Sequence, residues 1–449
     1  MGLKEFFYGA SVLVLVSCGG NNNGGENSGA SYYKTTIPID ANIELGQEKN
    51  ILYYADPRTE ENGENRVLRI NYANMDYTAI PVDGNNPHSI DRAGNTDKFY
   101  IRTQNSYSFD VVNFKTGDVK TVDLDKHKPR AIGGFNKKYN IQLLSVKNRA
   151  VVDVIDVDTD EVIAKLGDDR DVDVKDGYNY DKSRLTSNAG SGSATGHSFW
   201  IDWDHFALID RVHREVIVYK VNIDKGQLEF QEKSRLATIT ALHTIERVNN
   251  AVTKKDFKTF YALGEGILSK KSPYVKELIF DRTAGRFQEG RITYLSNSKK
   301  IVNTIKPTTH HAGISPDGKY MYVPVLDGKV YVIDRESMKT IKIVEAGLGA
   351  AHIEFSVSQN VAVVTNHFDT FVTIVDLKTF EVKKIEISKT KFDPAHKHLL
   401  QPHFSYISPD GRYYYTFASQ DGQFIKIDLK TLKISGKLKT GGAPEQAHS

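Results

Sequence analysis

The C-terminal half of this chain repeats itself, and a repeat of this kind leaves few folds open. His311 heads a unit in which Ser315-Pro316-Asp317-Gly318 precedes Lys319-Tyr320-Met321-Tyr322-Val323-Pro324 and then Lys329-Val330-Tyr331-Val332-Ile333-Asp334. The unit returns behind His352, with Asn360-Val361-Ala362-Val363-Val364 and Phe371-Val372-Thr373-Ile374-Val375-Asp376. It returns again behind His403, with Ser408-Pro409-Asp410-Gly411, Arg412-Tyr413-Tyr414-Tyr415 and Phe424-Ile425-Lys426-Ile427-Asp428. Each copy reads as short β-branched and aromatic strands cut by Gly, Asp and Asn turns. A period of about 40 residues with four strands per unit is the signature of propeller blades, which bury their faces only by stacking on one another.

Weaker copies begin near His243, His197, Arg130 and His88, and one without a histidine begins near Ala41. The reading is all-β: one propeller of eight four-stranded blades over residues 32–449. Seven is the alternative if the first copy is incomplete. Helical periodicity is confined to the first twenty residues.

Those residues place the ring in the cell. Lys4 and the apolar run Phe6 to Val16 precede Leu15-Val16-Ser17-Cys18, a pattern that resembles a bacterial lipoprotein signal. That resemblance implies a signal peptide over 1–17 and lipidation at Cys18, the chain's single cysteine. The Gly/Asn-rich stretch to residue 31 then reads as a flexible tether. The expected location is the cell envelope, on the periplasmic or outer-membrane face, with the membrane met through the lipid only. With one cysteine, the mature fold has no disulfide. A net charge of +3, with lysines spread along the chain, gives no sign of nucleic-acid binding.

Histidine recurs at one place in the repeat. His88, His197, His243, His311, His352 and His403 all precede or start an innermost strand, and His448 follows the last copy. In a closed ring all seven meet at one channel mouth, where Arg130 is the cationic exception. His367 and Asp369 lie in a second-to-third-strand loop opening on that face, and His396 and His398 lie in the loop leading to His403. His311, His352 and His403 are expected to occupy equivalent places, and His127 to lie on a loop outside the rim. A single strand-start histidine is ordinarily a satisfied polar residue. Several converging on one channel either repel one another when protonated or leave lone pairs unused when neutral, and a metal uses those lone pairs. Imidazoles in excess of the four that tetrahedral zinc needs favour copper.

The Ser-Pro-Asp-Gly turns ahead of tyrosine-rich strands resemble the YVTN-type propeller superfamily across most of residues 41–445. Within it, the histidine rim is similar to the propellers of nitrous oxide reductase and thiocyanate dehydrogenase. That likeness implies copper, redox chemistry on a small inorganic sulfur or nitrogen substrate, and a periplasmic electron-transfer partner. Those two families have seven blades, whereas eight is the number in the haem-d1 propellers of cytochrome cd1, which makes haem d1 the alternative cofactor. A non-enzymatic surface scaffold is the competing class. Hydrolase and phosphate-binding motifs are missing from the sequence. Catalytic residues are unassigned, with Glu354 and Asp369 the only rim carboxylates. Residues 167–196, rich in Asp and then Gly and Ser, read as a solvated insertion with a lid as the alternative. Trp200 and Trp203 read as core.

Overall fold

The structure, a computed structural model, describes residues 50–103, 106–170, 193–247, 258–266, 271–295, 308–391, 400–403, 405–444 and the backbone of 446–448. Cys18, the tether, His396, His398 and most of the 167–196 insertion lie outside the described residues.

Eight four-stranded antiparallel sheets follow one another around a ring. Seven take their strands in chain order, innermost first, from Pro87–Arg92 in blade 2 to Tyr406–Ile407 in blade 8. Blade 1 is composite. Its three outer strands begin with Ile51–Asp56, and its innermost strand is Gln446–His448 from the far end of the chain, with Tyr53 opposite His448. The ends of the chain therefore close the ring, and the count of eight holds.

Each blade's second strand explains why the repeat reads as nearly unbroken apolar runs. Successive side chains on a strand point to opposite faces, and here both faces meet a neighbouring blade. Leu52 and Tyr54 pack on Tyr415, Phe417 and Phe424 of blade 8, while Ile51, Tyr53 and Ala55 pack on Ile90, Phe99 and Ile101 of blade 2. Phe206 and Leu208 face blade 3, and Ala207 and Ile209 face blade 5. Every adjacent pair of blades has such a cluster. At about 2 kcal/mol for each large apolar side chain buried, these interfaces are the principal source of cohesion. Trp200 belongs to one of them, its indole N–H donating across to the Gly134 carbonyl at 2.7 Å.

The repeat's polar signatures are turns. Ser315 Oγ binds Asp317, the amides of Lys319 and Tyr320 close on that pair, and Gly318 supplies φ 73°. Ser408, Asp410 and Gly411 repeat the device one copy later, with φ 72° at the glycine. The aspartates ending third strands cap the next turn: Asp376 accepts from the amides of Lys378 and Thr379, and Asp428 from Lys430 and Thr431.

His127 lies on the loop between Val119–Asp123 and Pro129–Asn136, outside the imidazole cluster as expected, but not as a solvated side chain. It is fully buried, its Nδ1 2.8 Å from both Asp153 oxygens and its Nε2 2.7 Å from Asp169. With both ring nitrogens facing carboxylates, both must donate, so the ring is an imidazolium. Burial opposes that charge, but Asp153 and Asp169 outweigh it and raise the pKa. A base with a raised folded pKa contributes its stability fully below the unfolded value near 6.5 and loses it as pH rises through the folded value. Denaturant unfolding should find His127→Ala destabilised by about 3 kcal/mol at pH 6, with a smaller deficit at pH 9.5. An equal deficit at both pH values would show that the ring is neutral.

Candidate metal centre

The rim is built by strand register. In blades 2 to 7 the end of the second strand pairs with a residue opening the inner segment: Pro87 with Thr103, Pro129 with Val146, Thr195 with Asp210, Leu242 with Gly264, Thr309 with Val325, and Ala350 with Asn366. One residue further on stand His88, Arg130, Gly196, His243, His310 and Ala351. Two further on stand Ser89, Ala131, His197, Thr244, His311 and His352. The ladder slips at this point in blades 2, 3, 5 and 7, so that His88, Arg130 and Ala351 are the extra residues of bulges. Bulges re-aim side chains at sheet ends, and here they let two registers of histidine reach one mouth. His311 and His352 are equivalent, as expected, but His403 is not: the Ser315 and Ser408 turns align, which sets His403 one register away, against His310. The counterpart of His88 in blade 6 is His310, which the sequence reading passed over because it aligned the copies on His311. The His310-His311 doublet was the available signal.

A second set comes from the residue directly after the second strand, which returns to the same face. It is Lys147 in blade 3, Arg211 in blade 4, Glu265 in blade 5 and His367 in blade 7.

Eight imidazoles touch in one continuous cluster: His88, His197, His243, His310, His311, His352, His367 and His403. Ring centroids lie 4.1 Å apart for His243 and His310, 4.5 Å for His367 and His403, 4.6 Å for His311 and His352, and 5.2 Å for His88 and His403. Seven of them form two groups whose ligand atoms lie within 4.8 Å of one another, His310 with His352, His367 and His403, and His197 with His243 and His311. His88 touches the cluster without joining either group. For His448 only the strand is described.

The ring nitrogens are oriented. Glu246 meets His311 Nδ1 at 2.9 Å, Glu265 lies 3.5 Å from His243 Nδ1, and the His367 Nδ1–H donates to the Gln401 carbonyl at 3.1 Å. The contacts of His311 and His367 assign the proton to Nδ1 and leave the lone pair on Nε2. Among the described residues, His243 Nε2, His310 Nε2, His352 Nε2 and His403 Nδ1 are buried with no hydrogen-bond partner. Buried polar atoms are ordinarily paired, so four such nitrogens in one cluster suit a ligand that takes lone pairs.

Carboxylates are not displayed for coordination. Asp369 accepts from the backbone amides of Leu348 and Thr370, Glu354 is buried in the inner strand of blade 7, and among the described residues neither imidazole group includes a carboxylate. Cations crowd one side. Burial, then the charges of Arg102, Arg130 and Lys147, push the pKa of His88 well down; burial, then Arg130 and His311, does so for His197. Arg130 is thus not the single cation of this face.

His243, His310, His352 and His403 are likewise held well below the ordinary value, by burial first and then by the neighbouring imidazoles. Six of the rings are therefore neutral near pH 7. Neutral imidazole is the form that binds metal, since the ligand must be deprotonated.

No curated protein matches the chain. The model of the cytochrome D1 heme domain family matches residues 288–402, well short of half the chain but including His310, His311, His352 and His367. A solved structure of the dihydro-heme d1 dehydrogenase NirN in complex with DHE is 12% identical, covers 95% of this chain and 82% of its own, and superposes with a TM-score of 0.62. AztD from Citrobacter koseri is 12% identical over 88% and 96% of the two chains, with a TM-score of 0.52. A putative 6-phosphogluconolactonase from Bacteroides fragilis is 12% identical over 90% and 99%, with a TM-score of 0.51. The resemblance to d1 propellers is borne out at the level of the fold and of the partial family match. At such identities the structures speak for architecture alone.

The neutral rim has a cost in acid. In the unfolded chain these histidines titrate near 6.5, and in the fold well below it, so the folded state binds fewer protons as pH falls through that interval and loses stability. Metal-free protein should weaken progressively below about pH 6.5. In denaturant unfolding between pH 7 and 5, His403→Gln should show a pH slope shallower by about one proton. An unchanged slope would mean that His403 is not held neutral.

Proposed function

We propose that this protein is an exported, lipid-anchored propeller whose channel mouth holds a polynuclear metal centre, copper by the chemistry of its ligands. On this reading it performs redox chemistry on a small inorganic sulfur or nitrogen compound. The observation that carries the reading is the pair of imidazole groups, seven rings with ligand atoms within 4.8 Å in each group. Imidazole suits copper, zinc and iron, and seven ligands exceed what one tetrahedral zinc uses. Bound copper would supply one-electron redox chemistry. The chain's own residues hold His197, His243, His310, His352 and His403 neutral, set Glu246, Glu265 and the Gln401 carbonyl beside Nδ1 of His311, His243 and His367, and bring the charges of Arg102 and Arg130 to bear on both His88 and His197. A cationic wall beside the rim favours an anionic substrate. A periplasmic electron-transfer protein would complete the redox cycle.

The family match over 288–402 favours a second reading, a d1-type haem. Arg102, Arg130 and Lys147 suit the carboxylates of such a macrocycle, and a rim histidine could ligate its iron. Rings in contact at 4–5 Å leave a flat macrocycle no slot between them, so it would have to lie over the cluster and would use few of its nitrogens. The fit is poorer than that of separate ions.

Elemental analysis of protein loaded with copper decides between these readings and a bare scaffold. His352→Ala and His403→Ala should each lower the copper content, whereas His205→Gln, whose ring is held by Asp202 at the opposite face, should leave it unchanged. Equal copper in rim and control variants would leave the protein a scaffold, and red-region absorption after haem-d1 reconstitution would favour the macrocycle.

The anchor is tested separately. Cys18→Ala should move the protein from the membrane fraction to the soluble fraction with an unchanged melting temperature. A variant that stays with the membrane would end the lipoprotein reading.

A further inference from the structure

We infer that the rim is two unequal metal subsites: the three-histidine group anchors a divalent ion against carboxylates, and the four-histidine group, without that backing, exchanges its ion more readily. The inference rests on the reading of the rim as a metal centre and adds how its ions are held.

The inequality comes from blade 5. Its inner strand, Leu242–Arg247, carries both His243 and Glu246, and Glu265 follows its second strand, Thr259–Gly264. Glu246 crosses to blade 6 and meets His311 Nδ1 at 2.9 Å. Glu265 lies 3.5 Å from His243 Nδ1 and is itself fixed by Arg211, whose guanidinium reaches both carboxylate oxygens at 3.1 Å. Both members of that ion pair are buried, so Glu265 cannot swing away without leaving Arg211 uncompensated. Carboxylates behind metal-binding histidines fix the tautomer, make the opposite nitrogen a stronger donor and balance the charge of a dication. Two of the three rings in this group have one.

The other group differs on each count. His367 is oriented by a neutral carbonyl, that of Gln401. Among the described residues no carboxylate hydrogen-bonds to His310, His352 or His403, and each keeps a buried ring nitrogen with no partner. Four neutral donors can wrap an ion closely, but they leave its charge uncancelled in a buried site. Geometry therefore favours binding in both groups, while the carboxylates behind one of them separate the two.

Zinc(II), divalent and redox-inert, is the probe. Metal-free full-length protein titrated with Zn2+ against a competing chelator should show a tight class and a weaker one. Glu246→Gln, at a partly exposed position, should weaken the tight class by about 10- to 100-fold and leave the weaker class as it was. His352→Ala should remove the weaker class and spare the tight one. Glu265→Gln should act like Glu246→Gln, and if the stranded Arg211 prevents folding, Glu246→Gln decides alone. A single class of sites, or a Glu246→Gln effect that falls on both classes or on neither, overturns the inequality while leaving the metal centre standing. Wild-type protein that binds no Zn2+ overturns the metal-centre reading and this inference together.

Discussion

The contact between neighbouring blades sets the rest of the structure. Every second strand is sandwiched, with Leu52 and Tyr54 turned to one neighbour and Ile51, Tyr53 and Ala55 to the other. No blade can therefore exist with its faces covered unless the ring is complete. Closure fixes the channel, and the channel fixes where the inner strands begin. It also explains the division of labour along the chain: apolar residues occupy the strands, Asp, Ser and Gly occupy the turns, and chemically reactive residues collect at the one end where inner strands start and second strands finish.

A rigid ring places limits on a site built at its mouth. Eight blades contribute roughly equivalent positions, so a simple repeat would deliver one ring of identical side chains at one depth. This chain breaks the equivalence in two ways. Bulges at His88, Arg130 and Ala351 shift the inner strand by one residue, which brings two registers to the same level. The residue after the second strand is Lys147, Arg211, Glu265, the apolar Leu326 and His367 in turn as one passes from blade 3 to blade 7. The rim thus runs from cationic through acidic to imidazole, which is a polarity that a symmetric propeller would lack.

How far the sequence revealed this depended on what was local. Strand content, turn chemistry and blade number are written in contiguous residues such as Ser315-Pro316-Asp317-Gly318, and they were legible. Six of the eight clustered imidazoles were legible as site candidates too, and His367 as a neighbour of the rim, because strand starts can be counted. His310 was not, because a one-residue slip in register has no marker in composition, and only one member of the doublet, His311, was read as a rim residue although both belong to it. The carboxylates Glu246 and Glu265, and the burial of His127 between Asp153 and Asp169, were hidden for a different reason. Each depends on a side chain 22 to 65 residues away in sequence, and no periodicity encodes that distance.

The chemistry of the mouth follows from what burial does to a base. An imidazole alone in water is divided between its two forms near neutral pH, but here burial, neighbouring cations and like neighbours all press six rings toward the neutral form. Neutrality removes mutual repulsion and leaves lone pairs that the surrounding blades do not satisfy, a state that costs the fold stability. A chain under selection for stability alone would fill such positions with apolar side chains, as the same strands do one or two residues further in. That the mouth keeps His243, His310, His352 and His403 with nitrogens unpartnered among the described residues, on a scaffold too rigid to fold them away, is the physical reason to look there for a ligand that accepts lone pairs.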